Sequence, residues 1–305
     1  KVDFPKQYLP ITFNRYINPT TNKDQGIFHS SYYRTISNKN IRNITTVHDF
    51  TYEYYRKGLP KKIHSWQKSN AIKKSDHIIC VSNNTKIDLL SFYSSIPQDR
   101  ISVIYNGVDE EYKPLASKRN AELEKYIKFS SMEYLLYIGD RRSKYKNFIT
   151  ALNACKLSHS PLVIVGGGRL DKNEMSLLQN TLGVNNFEQL TGINNKTLNI
   201  LYNNALGLLY PSIYEGFGIP IIEAQKAGCP VICSDRSSIP EVAGKGAFII
   251  NDINANKIAD ILLMNKSRSH FTDNIIKEGF LNANRFSWDK CYEQTKQVYL
   301  DLCTE

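Results

Sequence analysis

ALGLLYPSIYEGFGIPIIEAQKAG, residues 205–228, runs from a short aliphatic stretch through a proline and two glycines into a second apolar stretch that stops at glycine. The six residues 205–210, mostly aliphatic and cut off by Pro211, have the length of a buried strand rather than a helix. Beyond the turn, Pro220 suits the first turn of a helix and Gly228 is placed to end it. The stretch is therefore one strand, one loop and one helix. The same rhythm recurs outward along the chain: 41–47 leads into His48 and Asp49, 77–81 into Ser82, 101–105 into Asn106 and Gly107, 134–138 into Gly139, 162–165 into Gly166–Gly168, and 231–233 into Ser234. Repeated strand-to-helix units predict an α/β fold with parallel sheets. A polar, charged segment at 113–128 interrupts the series and predicts a linker at about 110–130. At 305 residues the chain exceeds the comfortable size of a single core, so two α/β domains are expected. Ligands of such sheets sit beyond the carboxyl ends of strands, which is where the polar clusters fall. Two such domains face to face would line a cleft.

Within the opening stretch, Glu215 lies in the loop and Glu223 about one turn inside the helix. The amides of Gly216, Phe217, Gly218 and Ile219 lie between them at a positive helix end, which favours an anion. Carboxylates accept hydrogen bonds from hydroxyls, so the layout suits a polyol joined to a phosphate. Ordinary acidic residues at a loop and a helix start explain the spacing too. In YIGDRRSKYKNF, residues 137–148, Arg141 and Lys146 follow a strand end and could clamp a diphosphate, or form a solvated basic loop with Arg142 and Lys144 as surface charges. VIVGGGRL, residues 163–170, keeps half of a dinucleotide fingerprint. Asp171 stands where its third glycine belongs, which argues against a nicotinamide site. Ser238 and Glu241 have capping-box spacing. His48 at a strand end is either a ligand contact or a structural histidine.

Net charge is +10, from 39 basic and 29 acidic residues, so the surface attracts anions. The six cysteines form no C-x-x-C pair, which points away from zinc and toward a reducing cytoplasm. No D-x-D triplet offers a metal anchor, and no metal or other cofactor is expected. The first residues lack the layout of a signal peptide, and no stretch has the length of a membrane-spanning helix. Residues 52–74 interleave Tyr52, Tyr54, Tyr55 and Trp66 with Arg56, Lys57, Lys61, Lys62, Lys68, Lys73 and Lys74. That pattern fits an anionic membrane surface, or a solvated face. Nucleic acid is not expected, for want of a recognised binding module.

Taken together, PSIYEGFGIPIIEA with its E-x7-E spacing, the loop bearing Arg141 and Lys146, VGGG, VIYNGVD and the closing FSWDKCYEQTKQVY resemble the retaining glycosyltransferases of the two-Rossmann GT-B type, family four. The likeness runs from about His29 to the end. It implies a first, acceptor-side domain over 1–115, a nucleotide-sugar domain over 116–286 and a last helix over 287–305 that crosses back to the first domain. Glu215 would bind donor-sugar hydroxyls and Glu223 the ribose. Arg141, Lys146 and the 216–219 amides would hold the diphosphate, with Gly167 nearby, and Leu190 and Thr191 would flank the base. His48 would face the sugar from the acceptor side. The implied reaction is metal-independent transfer of a sugar to a saccharide or lipid-linked acceptor, in surface polysaccharide assembly on the cytoplasmic side, peripheral to the membrane. A GT-B epimerase or a non-catalytic nucleotide-binding module are the alternatives. Family members open with a strand and a glycine-rich loop, yet Gly26 is the sole glycine before Gly58, so the first domain is expected to lack that piece.

Overall fold

The computed structural model describes residues 15–30, 32–116, 123–129, 133–265 and 270–304. The chain forms two compact units, Lys1–Asn106 with Asp289–Glu305, and Gly107–Trp288. Sequence places the divisions at 115 and 286; the units part after Asn106 and Trp288. Polar residues that read as a linker account for the shift, because they dock onto the second unit. The Lys113 amide donates to Asn199 Oδ1 at 3.1 Å, the Leu115 amide to Asn203 Oδ1 at 2.8 Å, and Lys226 pairs with Glu110. Gly107 lies flat against the far end of the same unit, where a Cβ would stand 2.2 Å from the Trp288 nitrogen. Glycine alone fits there.

In the first unit, strands β1 (Gly26–Ser30), β2 (Ile41–Val47), β3 (His77–Cys80) and β4 (Ile101–Val103) form a parallel sheet in sequence order. Helices α1 (Thr51–Tyr55) and α2 (Gly58–Lys74) lie between β2 and β3, and α3 (Asn83–Phe92) between β3 and β4. The final helix, numbered α11 (Trp288–Thr304), sends Val298 and Leu302 against Ile44, Ile79 and Ile104 of the sheet. Tyr299 of the same helix bonds His29 Nδ1 at 2.6 Å, while His29 Nε2 meets Thr46 Oγ1 at 2.8 Å. The closing helix is thus fastened to the first unit by both apolar and polar contacts.

The second unit has strands β5 (Leu135–Ile138), β6 (Leu162–Val165), β7 (Phe187–Leu190), β8 (Gly207–Tyr210), β9 (Val231–Ser234) and β10 (Phe248–Ile250). They form one parallel sheet in the order β10-β9-β8-β5-β6-β7. Strands β6, β8 and β9 are buried at every residue, as a parallel sheet covered on both faces requires. The covering helices are α4 (Phe148–Leu157), α5 (Lys172–Leu182), α6 (Asn195–Asn204), α7 (Ile219–Ala227), α8 (Ile239–Ala243), α9 (Ala255–Asn265) and α10 (His270–Ala283). Strand order runs outward in both directions from the β5–β8 pair. Connections leave that pair toward opposite edges, which opens a crevice at its carboxyl end.

Candidate active site

Both halves of the crevice carry a charged side chain. After β5 the chain passes Gly139, held at φ +149°, and makes a 3₁₀ turn over Lys144–Lys146 before α4. The stem of Lys146 lies over Gly139, its Cδ 3.6 Å from where a Cβ would sit. After β8 the chain reaches Glu215, whose carboxylate receives the Lys146 ammonium at 2.6 and 2.9 Å. The two side chains are 17 and 11% exposed, so the ion pair is largely shielded. Tyr210, at the end of β8, hydrogen-bonds Glu215 through its buried hydroxyl, and the ring lies 5.7 Å from the ammonium. Burial and the neighbouring Glu215 charge push the Tyr210 phenol well up, so it stays a donor.

The loop that presents Glu215 is braced from β9. Ser237 Oγ accepts from the Glu215 amide at 2.8 Å and donates to its carbonyl at 3.1 Å. Ser238 Oγ donates to the carbonyls of Glu215 and Phe217, both at 2.9 Å. Ser237 holds φ +48°, a left-handed value that a serine adopts only under constraint. The capping box expected from Ser238 and Glu241 is not formed, because the Ser238 hydroxyl is turned toward the Glu215 loop. Sequence missed this brace, since the spacing of a helix start and of a loop strut is the same.

Helix α7 opens with Gly218 at φ +113°, carries Pro220 in its first turn and closes at Gly228 in the left-handed region. Its first turn contains Pro220, which has no amide hydrogen, and the Ile221 amide donates to the Gly218 carbonyl at 3.0 Å, so what this end presents is the positive pole of the helix dipole. Further along α7, Glu223 Oε2 accepts from Tyr202 at 2.9 Å, and Tyr112 donates to the same carboxylate. Burial raises the Glu223 carboxyl above its ordinary pKa, the two phenols pull it back, and Asp109 adds to the rise.

Arg141 occupies a different position from the one a clamp requires. Its side chain is 1% exposed. Nη1 donates to the carbonyls of Gly166 and Gly168 at 3.2 and 3.1 Å, and Nη2 to the Arg169 carbonyl at 3.0 Å and to Glu174 at 2.8 Å. The guanidinium ties down the glycine loop after β6, in which Gly166, Gly167 and Gly168 all have positive φ. A Cβ on Gly167 would meet Arg141 Nη1 at 2.7 Å. Asp171, in place of a third fingerprint glycine, caps α5 in a reciprocal box with Glu174, at 2.9 Å in both directions. Arg142 pairs with Asp140 on the surface.

Leu190 ends β7 and its carbonyl receives the Gly166 amide at 3.1 Å, which sets Leu190 and the exposed Thr191 beside the glycine loop. Glu215, Lys146, Gly216–Ile219, Glu223, Gly167, Leu190 and Thr191 therefore all follow carboxyl ends of neighbouring strands of one sheet. His48 belongs to the first unit, exposed at the end of β2. Desolvation lowers its pKa, with Asp49 and Lys68 acting in opposite senses.

In the 52–74 segment, Lys68 departs from the expected basic surface. It is fully buried in α2, bonded to Glu53 Oε2 at 2.7 Å and to the Asp49 carbonyl at 2.8 Å, with the Phe50 ring 4.5 Å away. Leu59, Ile63 and Trp66 are instead exposed along α2, at 67, 41 and 68%. No helix among the described residues is long and apolar enough to cross a membrane.

Comparison with known proteins divides the chain between residues 112 and 118, a few residues after the structural boundary at Asn106. The family described as "Glycosyl transferases group 1" matches residues 118–278, and "Glycosyltransferase Family 4" matches residues 23–112. The O-antigen chain mannosyltransferase B of Escherichia coli is 27% identical over 273 residues, 85% of this chain and 70% of that protein. The O-antigen chain mannosyltransferase RfbU of Salmonella typhimurium is 33% identical over 217 residues, 69% of this chain and 57% of that protein. Among solved structures, a sucrose-phosphate synthase from Thermosynechococcus elongatus superposes with a TM-score of 0.73 at 20% identity, over 87% of this chain and 69% of that one. The fold is the two-Rossmann GT-B architecture. The matched stretch spans 70% and 57% of the length of these two mannosyltransferases.

Proposed function

Because the chain belongs to the group 1 glycosyl transferases, we propose that it moves a hexose from a nucleotide-sugar to an acceptor hydroxyl during assembly of a surface polysaccharide, with retention at the anomeric carbon. The carrying observation is the Lys146–Glu215 pair at the point where strand order reverses, next to the opening turn of α7. Lys146 and the positive end of the α7 dipole take the diphosphate, Glu223 takes the ribose hydroxyls, and Glu215 takes hydroxyls of the donor sugar. Leu190 and Thr191 flank the base. When the bond from the anomeric carbon to the phosphate oxygen breaks, its electron pair stays on the diphosphate. Lys146 and the helix dipole stabilise that charge before it forms, so no metal is required for the step. The acceptor oxygen bonds to the same face of the sugar and its proton passes to the leaving phosphate. His48 of the first unit is assigned to the acceptor. Arg141 acts at one remove, by fixing the glycine loop.

The test is incubation with a panel of nucleotide-sugars in EDTA, with an extract of lipid-linked saccharides as acceptor. Transfer from one donor with the anomeric configuration kept, read by NMR of the product, is the expected outcome. Absence of nucleotide release and of thermal shift from every donor would refute the reading.

We further propose that α2 rests on the anionic cytoplasmic face of a membrane, where a lipid-linked acceptor is met. Support comes from the exposed Leu59, Ile63 and Trp66 together with the exposed Lys57, Lys62, Lys73 and Lys74. Lys62→Glu with Trp66→Ala should abolish sedimentation with phosphatidylglycerol vesicles; unchanged sedimentation would remove the proposal.

A further inference from the structure

Glu223 is mostly buried, and a buried carboxylate stays at its post only if its lone pairs are met. Two phenols meet them. Tyr202 in α6 donates to Oε2 at 2.9 Å and also lies 3.3 Å from the Pro220 carbonyl, which anchors the phenol to α7 itself. Tyr112 donates to the same carboxylate from the segment that follows the start of the second unit at Gly107. The Tyr112 and Tyr202 rings pack edge-on at 5.9 Å and 73°, and their side chains are 2 and 0% exposed. Neither ring can swing away without opening a cavity. The segment that carries Tyr112 is held down on both sides, by Asp109 to Asn195 and Lys226 to Glu110 before it, and by Lys113 and Leu115 to Asn199 and Asn203 after it.

We infer that Tyr112 and Tyr202 are positioning residues for nucleotide recognition: they hold Glu223 in the one orientation that leaves its remaining lone pairs to a vicinal diol, and so set the preference for ribose over deoxyribose. This rests on the reading of Glu223 as the ribose contact. A carboxylate has about four acceptor directions, and the two phenols occupy two of them. The two that remain match the two hydroxyls of a ribose. With one phenol gone, the carboxylate can turn to recover a partner, and its aim at the diol is lost while charge and burial stay nearly the same.

Isothermal titration with UDP and GDP, each beside its 3′-deoxy counterpart, tests the inference on the intact chain and on the Tyr112→Phe, Tyr202→Phe and Glu223→Gln variants. For whichever nucleotide binds, the intact chain should prefer the ribose form by about tenfold or more, the range for hydrogen bonds to a charged acceptor. In Tyr112→Phe and in Tyr202→Phe that preference should fall to about threefold or less, with KM for the donor raised and kcat nearly kept. A purely structural tyrosine would instead weaken ribose and deoxyribose forms alike. An unchanged preference in both tyrosine variants overturns the inference; each removes a single oxygen, so a folding failure in one leaves the other to report. An unchanged preference in Glu223→Gln overturns the ribose reading as well, and so separates the two failures.

Discussion

Glu215→Gln offers the sharpest test of how the site handles charge, because Glu215 and Lys146 form an ion pair. Lys146 Nζ donates to both carboxylate oxygens, at 2.6 and 2.9 Å, and a diphosphate must share or replace these bonds. An exposed ion pair is worth about 0.5 kcal/mol and a fully buried one costs about 4 kcal/mol to break from one side; this pair, shielded but reachable, falls at about 1–2 kcal/mol. Removing the carboxylate charge frees that amount for an incoming anion, and also removes its repulsion of the diphosphate. A free energy of about 1–2 kcal/mol corresponds to roughly 5- to 30-fold in affinity. Glu215→Gln should therefore bind UDP or GDP more tightly than the unaltered chain by that factor, while losing sugar transfer. Titration calorimetry at two salt concentrations reads it, and the gain should shrink at high salt, as screening requires. Lys146→Met should move affinity the other way. If Glu215→Gln binds the nucleotide equally or more weakly while still folded, the ion pair does not govern access of the diphosphate and the reasoning fails.

Three further outcomes follow from the same structure. Gly167→Ala puts a Cβ 2.7 Å from Arg141 Nη1 at φ +70°, and thermal unfolding should show a loss of about 1–3 kcal/mol with weaker nucleotide binding. Glu223 has a folded pKa raised by burial, so its folded form holds a proton more firmly than the unfolded chain; stability falls as pH rises through that interval and stays lowered above it. Glu223→Gln should accordingly raise the melting temperature at pH 7.5 and lose that advantage at pH 4; a destabilised variant at pH 7.5 would contradict it. In the first unit, Lys68→Met strands the Glu53 carboxylate in the core and should cost about 3–5 kcal/mol, with most of it recovered when Glu53→Gln is added.

The sheets were legible in the sequence where strands are aliphatic and end in a turn residue, as at 41–47, 162–165 and 205–210. Strand β7, FEQL, escaped because its polar residues break the pattern that marks burial, and β10, FII, is too short to carry a period. The carboxylates of the E-x7-E stretch and Lys146 were legible by position after strand ends. What spacing could not convey is which basic side chain faces solvent. Arg141 and Lys146 look alike in a loop, and only the carbonyls of the glycine turn, brought next to Arg141 by the pairing of β5 and β6, turn it inward. Lys68 is the same case in the first unit, since nothing in a run of lysines marks the one that meets a buried glutamate. The tyrosines at 112 and 202 were invisible for a third reason: they lie 90 residues apart, and their common target is defined only once α6 and α7 pack.

The contact of Gly107 with the backbone of Trp288 has a consequence for how this fold can be rebuilt. The stretch from 107 to 288 begins and finishes at one spot, so it has the topology of a cassette inserted into the first unit. A module whose ends already touch can be excised, closed with a short peptide and expressed separately, or exchanged for the matching cassette of a relative without stretching either seam. Glycine at 107 is then the joint to preserve, because any larger residue would push the two seams apart.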